Sequence, residues 1–299
     1  MAQLFEQLFN GLSIGSLMLL VALGLTFTFG QMGVINMAHG EFIMAGAYVP
    51  YVLQTGIGFL LGSADLAFML SLPVAFVVAG LMGVTIERLL LRRMYNRPLD
   101  TLLATFGVSL ILQQAAKDLF GAPNVGVTAP SWLRGNVSVG GVILPYTRIF
   151  ILVLAIVLIV VIQLFLERRP QGRRMRAITD NRDLASISGL PVGQVDSVTF
   201  FIGSGLAGIA GVAVTLIGPI GFQLGTTYII DAFLVVIVGG LGKLRGAVVA
   251  AFALGVLNSY TEFSTSASIG RAIVFAMVIV FLQFRPNGLV SFQTRGLTA

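Results

Sequence analysis

An all-α integral membrane protein is the fold class the sequence predicts, a polytopic bundle of about 8–10 transmembrane helices with discontinuous helices near a central path. Three observations predict it: too few charges for a soluble core, long charge-free runs, and arginines gathered in two loops. Of 299 residues, 57% are apolar and only 10% charged, and the mean hydropathy is +0.96. A soluble domain carries about 25% charged residues, so a chain this apolar has more greasy surface than a globular core can hide. One transmembrane domain over residues 1–299 follows.

Charges are absent from Gln7–Ala38, Phe42–Ala64, Leu66–Ile86, Ile149–Leu166 and Ser197–Ile230. A spanning helix needs about 20 mostly apolar residues, and several of these runs supply them. Shorter candidates cover Thr101–Ala116, Tyr228–Gly240, Gly246–Tyr260 and Ala272–Phe284. No basic residue precedes the first run and no small-residue site closes it, which argues against a cleaved leader. With no cysteine, thiolate metal sites and disulfides are excluded.

Orientation follows from the cations, because short loops retained in the cytoplasm are enriched in Lys and Arg. One loop carries Arg88, Arg92, Arg93 and Arg97, and another Arg168, Arg169, Arg173, Arg174, Arg176 and Arg182. Two crossings separate them, joined by a connection from Gly121 to Thr147 whose Trp132 and Tyr146 suit the opposite interface. Lys243 with Arg245, and Arg285 with Arg295, mark two more cytoplasmic points, so the carboxyl terminus is expected inside. The net charge of +6 does not indicate nucleic-acid binding, which needs cations along one exposed groove; here they flank apolar spans, where anionic membrane lipid attracts them.

Two glycine motifs lose their nucleotide meaning in this setting. Gly203-Ser204-Gly205-Leu206-Ala207-Gly208 matches GxGxxG, but it lies inside a charge-free run rather than after a strand. Gly203, Ala207 and Gly211 instead fall on one helix face at four-residue spacing, where a neighbouring helix can approach closely. Gly239-Gly240-Leu241-Gly242-Lys243 resembles a phosphate loop but has Leu244 where the magnesium-binding Ser or Thr belongs. One histidine and no hydrolase motif leave enzymatic chemistry little to work with.

Polar groups at membrane depth are costly and mark cavities, transport paths or internal hydrogen bonds. Gln31, Asn36, His39 and Glu41 interrupt the first apolar region, and Gly30, Gly33 and Gly40 would permit a broken helix there. His39 and Glu41 could equally cap a helix start or bond internally. Asp231 interrupts a later run; the preceding Gly218-Pro219 and Gly221–Thr227 read as a turn outside the bilayer, which would put Asp231 at an interface. Gln113, beside Gln114, fits either helix packing or a solute path.

Residues 168–196 form the most polar segment. Thr179, Asp180 or Asn181 can cap a helix, Asp183 occupies its first turn, and Gly189 before Pro191 stops it. A helix of about two turns, bearing Leu184 and Ile187, is unstable alone and needs packing. It rests either on its own membrane domain or on a soluble partner.

Three segments carry a resemblance: Ile35-Asn36-Met37-Ala38-His39-Gly40-Glu41, Arg176–Asn181 continuing to Gly189-Leu190-Pro191, and Val238–Gly242. Together they resemble the permeases of branched-chain amino acid ABC importers over nearly the whole chain. Gln31–Val34, Phe120–Val125 with Pro130-Ser131-Trp132, Tyr228-Ile229-Ile230-Asp231 and Arg285–Leu289 look like the urea-importing branch of that family. The resemblance implies a bacterial inner-membrane subunit paired with a second permease, two cytoplasmic ATP-binding subunits and an extracytoplasmic solute-binding protein. It implies no cofactor in this chain, with ATP and Mg held by the partner ATPases. Docking would fall on Arg173, Arg174, Arg176, Asp180, Asn181, Asp183, Leu184, Ile187 and Gly189, although Gly172–Arg176 is richer in arginine than the family pattern.

The expected function is inward transport of urea or a short-chain amide, past Gln31, Asn36, His39, Glu41, Gln113 and Asp231. A small neutral solute needs amides and carbonyls rather than fixed charges for a zwitterion. A branched-chain amino acid importer and a passive urea channel are the alternatives.

Overall fold

The computed structural model describes residues 2–57, 63–95, 97–139 and 142–290. Arg295 lies outside them. Seven helices among the described residues are long and apolar enough to cross a membrane. They are α1 (Ala2–Met32), α3 (Ala64–Leu89), α4 (Pro98–Phe120), α5 (Tyr146–Arg168), α8 (Val192–Val214), α10 (Leu244–Ser264) and α11 (Ala267–Phe284). Two shorter helices, α2 (His39–Val52) and α9 (Leu224–Gly239), complete the bundle, and α6 (Pro170–Asp180) and α7 (Arg182–Ile187) form the polar segment.

Contacts between helix ends show how the chain alternates. Gly30 packs on Gly242, Gln31 meets Thr179, Gly193 lies beside Arg92, and Gly240 lies against Val290. These contacts gather one set of helix ends with the arginine-bearing segments. With α2 and α9 included, the described chain crosses the bundle nine times. The start of α1 therefore lies opposite the arginine-rich end, and the end of α11 lies at it.

The 14 residues of α2 rise about 21 Å, short of the roughly 30 Å hydrocarbon thickness. Its start lies deep in the bundle, where the His39 ring meets the Val21 carbonyl halfway along α1. The irregular segment 33–38 bridges the remaining distance. It turns at Gly33, whose φ of 67° favours glycine. Asn36 Oδ1 accepts from the Ala38 amide at 3.0 Å, and the Met37 amide donates to Thr105 Oγ1 at 3.0 Å. These side chains satisfy non-helical backbone where water is scarce. Of the three glycines expected to permit a break, Gly33 makes the turn, while Gly30 and Gly40 lie within α1 and α2.

At the centre of the bundle, α8 has neighbours on several faces. Gly203 meets the Gly24 carbonyl and Thr28 of α1; Gly211 meets the Ile43 carbonyl and Ala47 of α2; Gly208 meets Ala75 and Ala79 of α3. Ala207 is buried. The Gly203–Ala207–Gly211 stripe thus serves two neighbours, and Gly208 brings in a third.

One expectation is corrected. Helix α9 begins at Leu224, so Leu224–Thr227 are helical rather than part of a turn outside the bilayer; Gly225 packs on the buried Gly40, which draws this start inward. The connection between α4 and α5 has local structure of its own: strands β1 (Asn136–Val139) and β2 (Val142–Pro145) pair antiparallel, and Val125 pairs with Ile220 through bonds of 2.8 and 2.9 Å. Gly140-Gly141 between two β-prone runs was a hairpin signal in the sequence.

A Cβ at Gly211 would lie 2.0 Å from the Ile43 carbonyl oxygen, whereas one at Gly126 would meet nothing within 4 Å. Overpacking costs about 1–3 kcal/mol or more. Gly211→Leu is expected to lower the melting temperature and the monodisperse yield in detergent, and Gly126→Ala to change neither, as checked by thermal shift and size-exclusion chromatography.

Candidate functional site

Four polar side chains from three helices meet in a line that runs from the buried Glu41 and Ser109 through the half-buried Gln113 to the exposed Thr226. Glu41, in the first turn of α2, is buried, and its Oε1 accepts from Ser109 Oγ at 2.9 Å and Gln113 Nε2 at 2.8 Å. Ser109 and Gln113 share a face of α4 and are 3.1 Å apart. Gln113 also reaches Thr226 Oγ1 of α9 at 3.0 Å. Helix α2 carries Glu41 to this depth only because segment 33–38 replaces its first turns. The other carboxylate oxygen, Oε2, is buried without a hydrogen-bond partner in the chain. A Cβ on Gly225 would come within 2.7 Å of it and of the Gly40 backbone, so only glycine lets α9 pack this closely on the carboxylate. A buried acceptor left unpaired is costly.

The six residues expected around one path separate. Glu41 and Gln113 are joined. Asn36 is buried and braces the broken segment, and His39 is buried against the Val21 carbonyl at 3.3 Å. Gln31 sits at the arginine-rich end, where its Oε1 accepts from Thr179 Oγ1 at 2.8 Å. It ties α1 to α6 and does not line a path with Glu41, because the helix runs on for ten residues beyond Val21. Asp231 lies in a different cavity, of about 230 Å³, with Arg148, Glu262 and Arg271. Ser109 and Thr226 were missed; the i, i+4 spacing of Ser109 and Gln113 was a usable signal, whereas nothing local marks Thr226.

In the polar segment, Asn181 caps α7 by accepting from the Leu184 amide at 2.9 Å, as its sequence suggested. Gly189 has a φ of 80° and ends the turn. Helix α6, over Pro170–Asp180, was not anticipated. It buries Gly172, Met175 and Ile178 and leaves Arg173, Arg174, Arg176 and Asp180 outward. On α7, Ala185 packs inward while Asp183, Leu184 and Ile187 are exposed, Ile187 at 84%.

Beneath α7 is a clasp that the sequence did not reveal. Arg182 pairs with the buried Asp196 of α8 at 2.5 Å and lies over the Tyr95 ring, 5.1 Å from its centroid. Tyr95 donates to the buried Glu87 of α3 at 2.5 Å, and Ser197 of α8 donates to the same carboxylate at 2.6 Å. Burial and the acceptor Glu87 hold the Tyr95 phenol protonated, far above its ordinary range. The clasp therefore joins α7 to the ends of α3 and α8.

Comparison with known proteins places this geometry. Residues 7–282 match the family model described as branched-chain amino acid transport system / permease component. The chain belongs to that permease family. The permease is 31% identical to the high-affinity branched-chain amino acid transport system permease protein BraD of Pseudomonas aeruginosa, over 95% of each chain. Against LivH of Escherichia coli, named likewise, identity is 28% over 95% of this chain and 94% of the relative. A probable branched-chain amino acid transport permease of Methanocaldococcus jannaschii is 27% identical over 94% and 91%. No solved structure matches the permease. It is accordingly a multi-pass transport component of the ABC type and not itself an enzyme, and its family implies ATPase and binding-protein partners. The named relatives belong to the branched-chain amino acid systems rather than the urea-importing branch.

Removing one partner of a buried ion pair costs about 3–5 kcal/mol; Arg182 is partly exposed, so solvent reduces that here. Arg182→Ala and Asp196→Ala are each expected to lower thermal stability, and the double variant to lose less than the sum. Additive losses in a double-mutant cycle would contradict the clasp.

Proposed function

We propose that this chain is one of two permease subunits of an ATP-driven importer that carries a small nitrogen-bearing solute past Glu41, Ser109, Gln113 and Thr226. The observation that carries the reading is the buried Glu41 carboxylate, whose Oε1 is satisfied by α4 while Oε2 has no partner within the chain. A carboxylate acceptor beside an amide and hydroxyls suits a solute that brings N–H donors into a dry passage. The arginine-rich end is cytoplasmic by the retention rule, which puts the carboxyl terminus inside and α7 where a soluble ATPase can reach it. The exposed Leu184 and Ile187 then meet the ATPase, flanked by Asp183 and the arginines of α6. A second permease subunit and an extracytoplasmic binding protein complete the assembly.

Branched-chain amino acids are the first substrate reading, supported by the names of relatives that align over almost the full length. Urea or a short amide is the second. Its support is the make-up of the Glu41 cluster, which contains acceptors, hydroxyls and an amide but no cation to receive an amino acid's carboxylate. The motif segments of the urea-importing branch point the same way.

Reconstitution with the ATPases and a binding protein separates these readings. Leucine-stimulated ATP hydrolysis and uptake without a urea response supports the first, and the reverse supports the second. ATP-independent flux through the chain alone would overturn the importer. Glu41→Ala is expected to cut uptake at least tenfold while the complex still assembles, measured by transport and co-purification. Leu184→Glu with Ile187→Glu is expected to abolish ATPase co-purification without lowering the melting temperature of the isolated permease.

A further inference from the structure

A second charged site shares helix α9 with the Glu41 cluster but is a separate cavity, toward the end of the bundle opposite the arginine-rich loops. Four ionisable side chains from four helices line one cavity of about 230 Å³: Arg148 of α5, Asp231 of α9, Glu262 of α10 and Arg271 of α11. Two cations and two anions make its formal charge zero. Yet no ion pair within 4 Å closes among the four. Arg148 donates instead to Asn10 at 2.5 Å, and Glu262 accepts from Asn258 at 3.2 Å. Asp231 lies within electrostatic reach of both Arg271 and Glu262.

Arg148, Asp231 and Glu262 are half-buried and Arg271 is exposed, and a charge drawn partly out of water is best held by an opposite charge. Simple self-neutralisation would draw the arginines onto the carboxylates, and here they stay apart across a space. A net anion would be repelled by Asp231 and Glu262, and a net cation by Arg148 and Arg271. A molecule that holds both signs a few bonds apart satisfies all four. The remaining walls, including Leu17, Met18 and Val274, are apolar and suit a hydrocarbon group attached to it.

We infer that this cavity is a binding site for a small zwitterion, with its anionic group toward Arg148 and Arg271 and its ammonium toward Asp231 and Glu262. Two molecules share that chemistry: a free aliphatic α-amino acid, and the headgroup of phosphatidylethanolamine with its acyl chains along the apolar wall. The inference does not depend on which solute the importer carries.

The test uses the assembled importer with wild-type and Arg271→Gln permease; Arg271 is exposed, so its loss leaves packing intact. In phosphatidylethanolamine-free nanodiscs, radiolabelled leucine binding is measured with urea as the neutral competitor. After detergent extraction from mixed lipid, native mass spectrometry compares retained phosphatidylethanolamine with phosphatidylglycerol, which is anionic only. Saturable leucine binding, or selective phosphatidylethanolamine retention, weakened at least tenfold by Arg271→Gln and by Asp231→Asn but not by Lys117→Gln, supports the site and names its source. Binding of neither, or binding unchanged in both variants, overturns it. The Glu41 reading is tested by transport, and it survives that failure.

Discussion

Backbone-to-backbone contact at glycine is the constraint on which the rest of this molecule depends. Lipid tails are as apolar as the helices, so burial alone does not hold transmembrane helices together, and close packing must. Helix α8 achieves it by presenting Gly203, Gly208 and Gly211 to α1, α3 and α2. Because Gly211 is locked against Ile43 and Ala47, and Gly40 against Gly225, α2 is held from two sides despite its shortness. That support lets segment 33–38 remain non-helical at depth, and it presents Glu41 to α4.

The fold class was legible because lipid exposure imposes length and apolarity on each span, and the charge-free runs report both directly. The break near Gly33 was legible for a related reason: Gly33 permits a turn, and the polar Asn36, His39 and Glu41 that follow fit the irregular segment and the first turn of α2. What escaped was tertiary. Gln31 and Asp231 look like Glu41 by composition, but helical rise carries Gln31 to the arginine-rich end and the start of α9 turns Asp231 toward α11. Thr226 and the Arg182–Asp196 clasp depend on contacts between residues far apart in sequence, which no local period encodes.

The polar groups fall into three sets with different physics. Glu41, Ser109, Gln113 and Thr226 form a chain of hydrogen bonds that leaves one carboxylate oxygen without a partner in the chain. The clasp of Glu87, Tyr95, Arg182, Asp196 and Ser197 is fully connected, which suits a rigid link between α7 and two spans. Through α8 that link is continuous with the glycine contacts to α2, so displacement of α7 has a packed route to Glu41. The cavity around Asp231 is charged on both signs and open, and it belongs to neither set.

The central claim, that the Glu41 cluster lies on a solute path opened by ATP, is tested most directly by cysteine accessibility. The chain contains no cysteine, so Ser109→Cys, Gln113→Cys and Thr226→Cys can each be introduced alone into the assembled importer, with Ser16→Cys, wholly buried in α1, as the control. Labelling by a membrane-impermeant thiol reagent that exceeds the control and changes between nucleotide-free and ATP-bound states is the predicted result. Labelling of all three no faster than Ser16→Cys in every nucleotide state would contradict it.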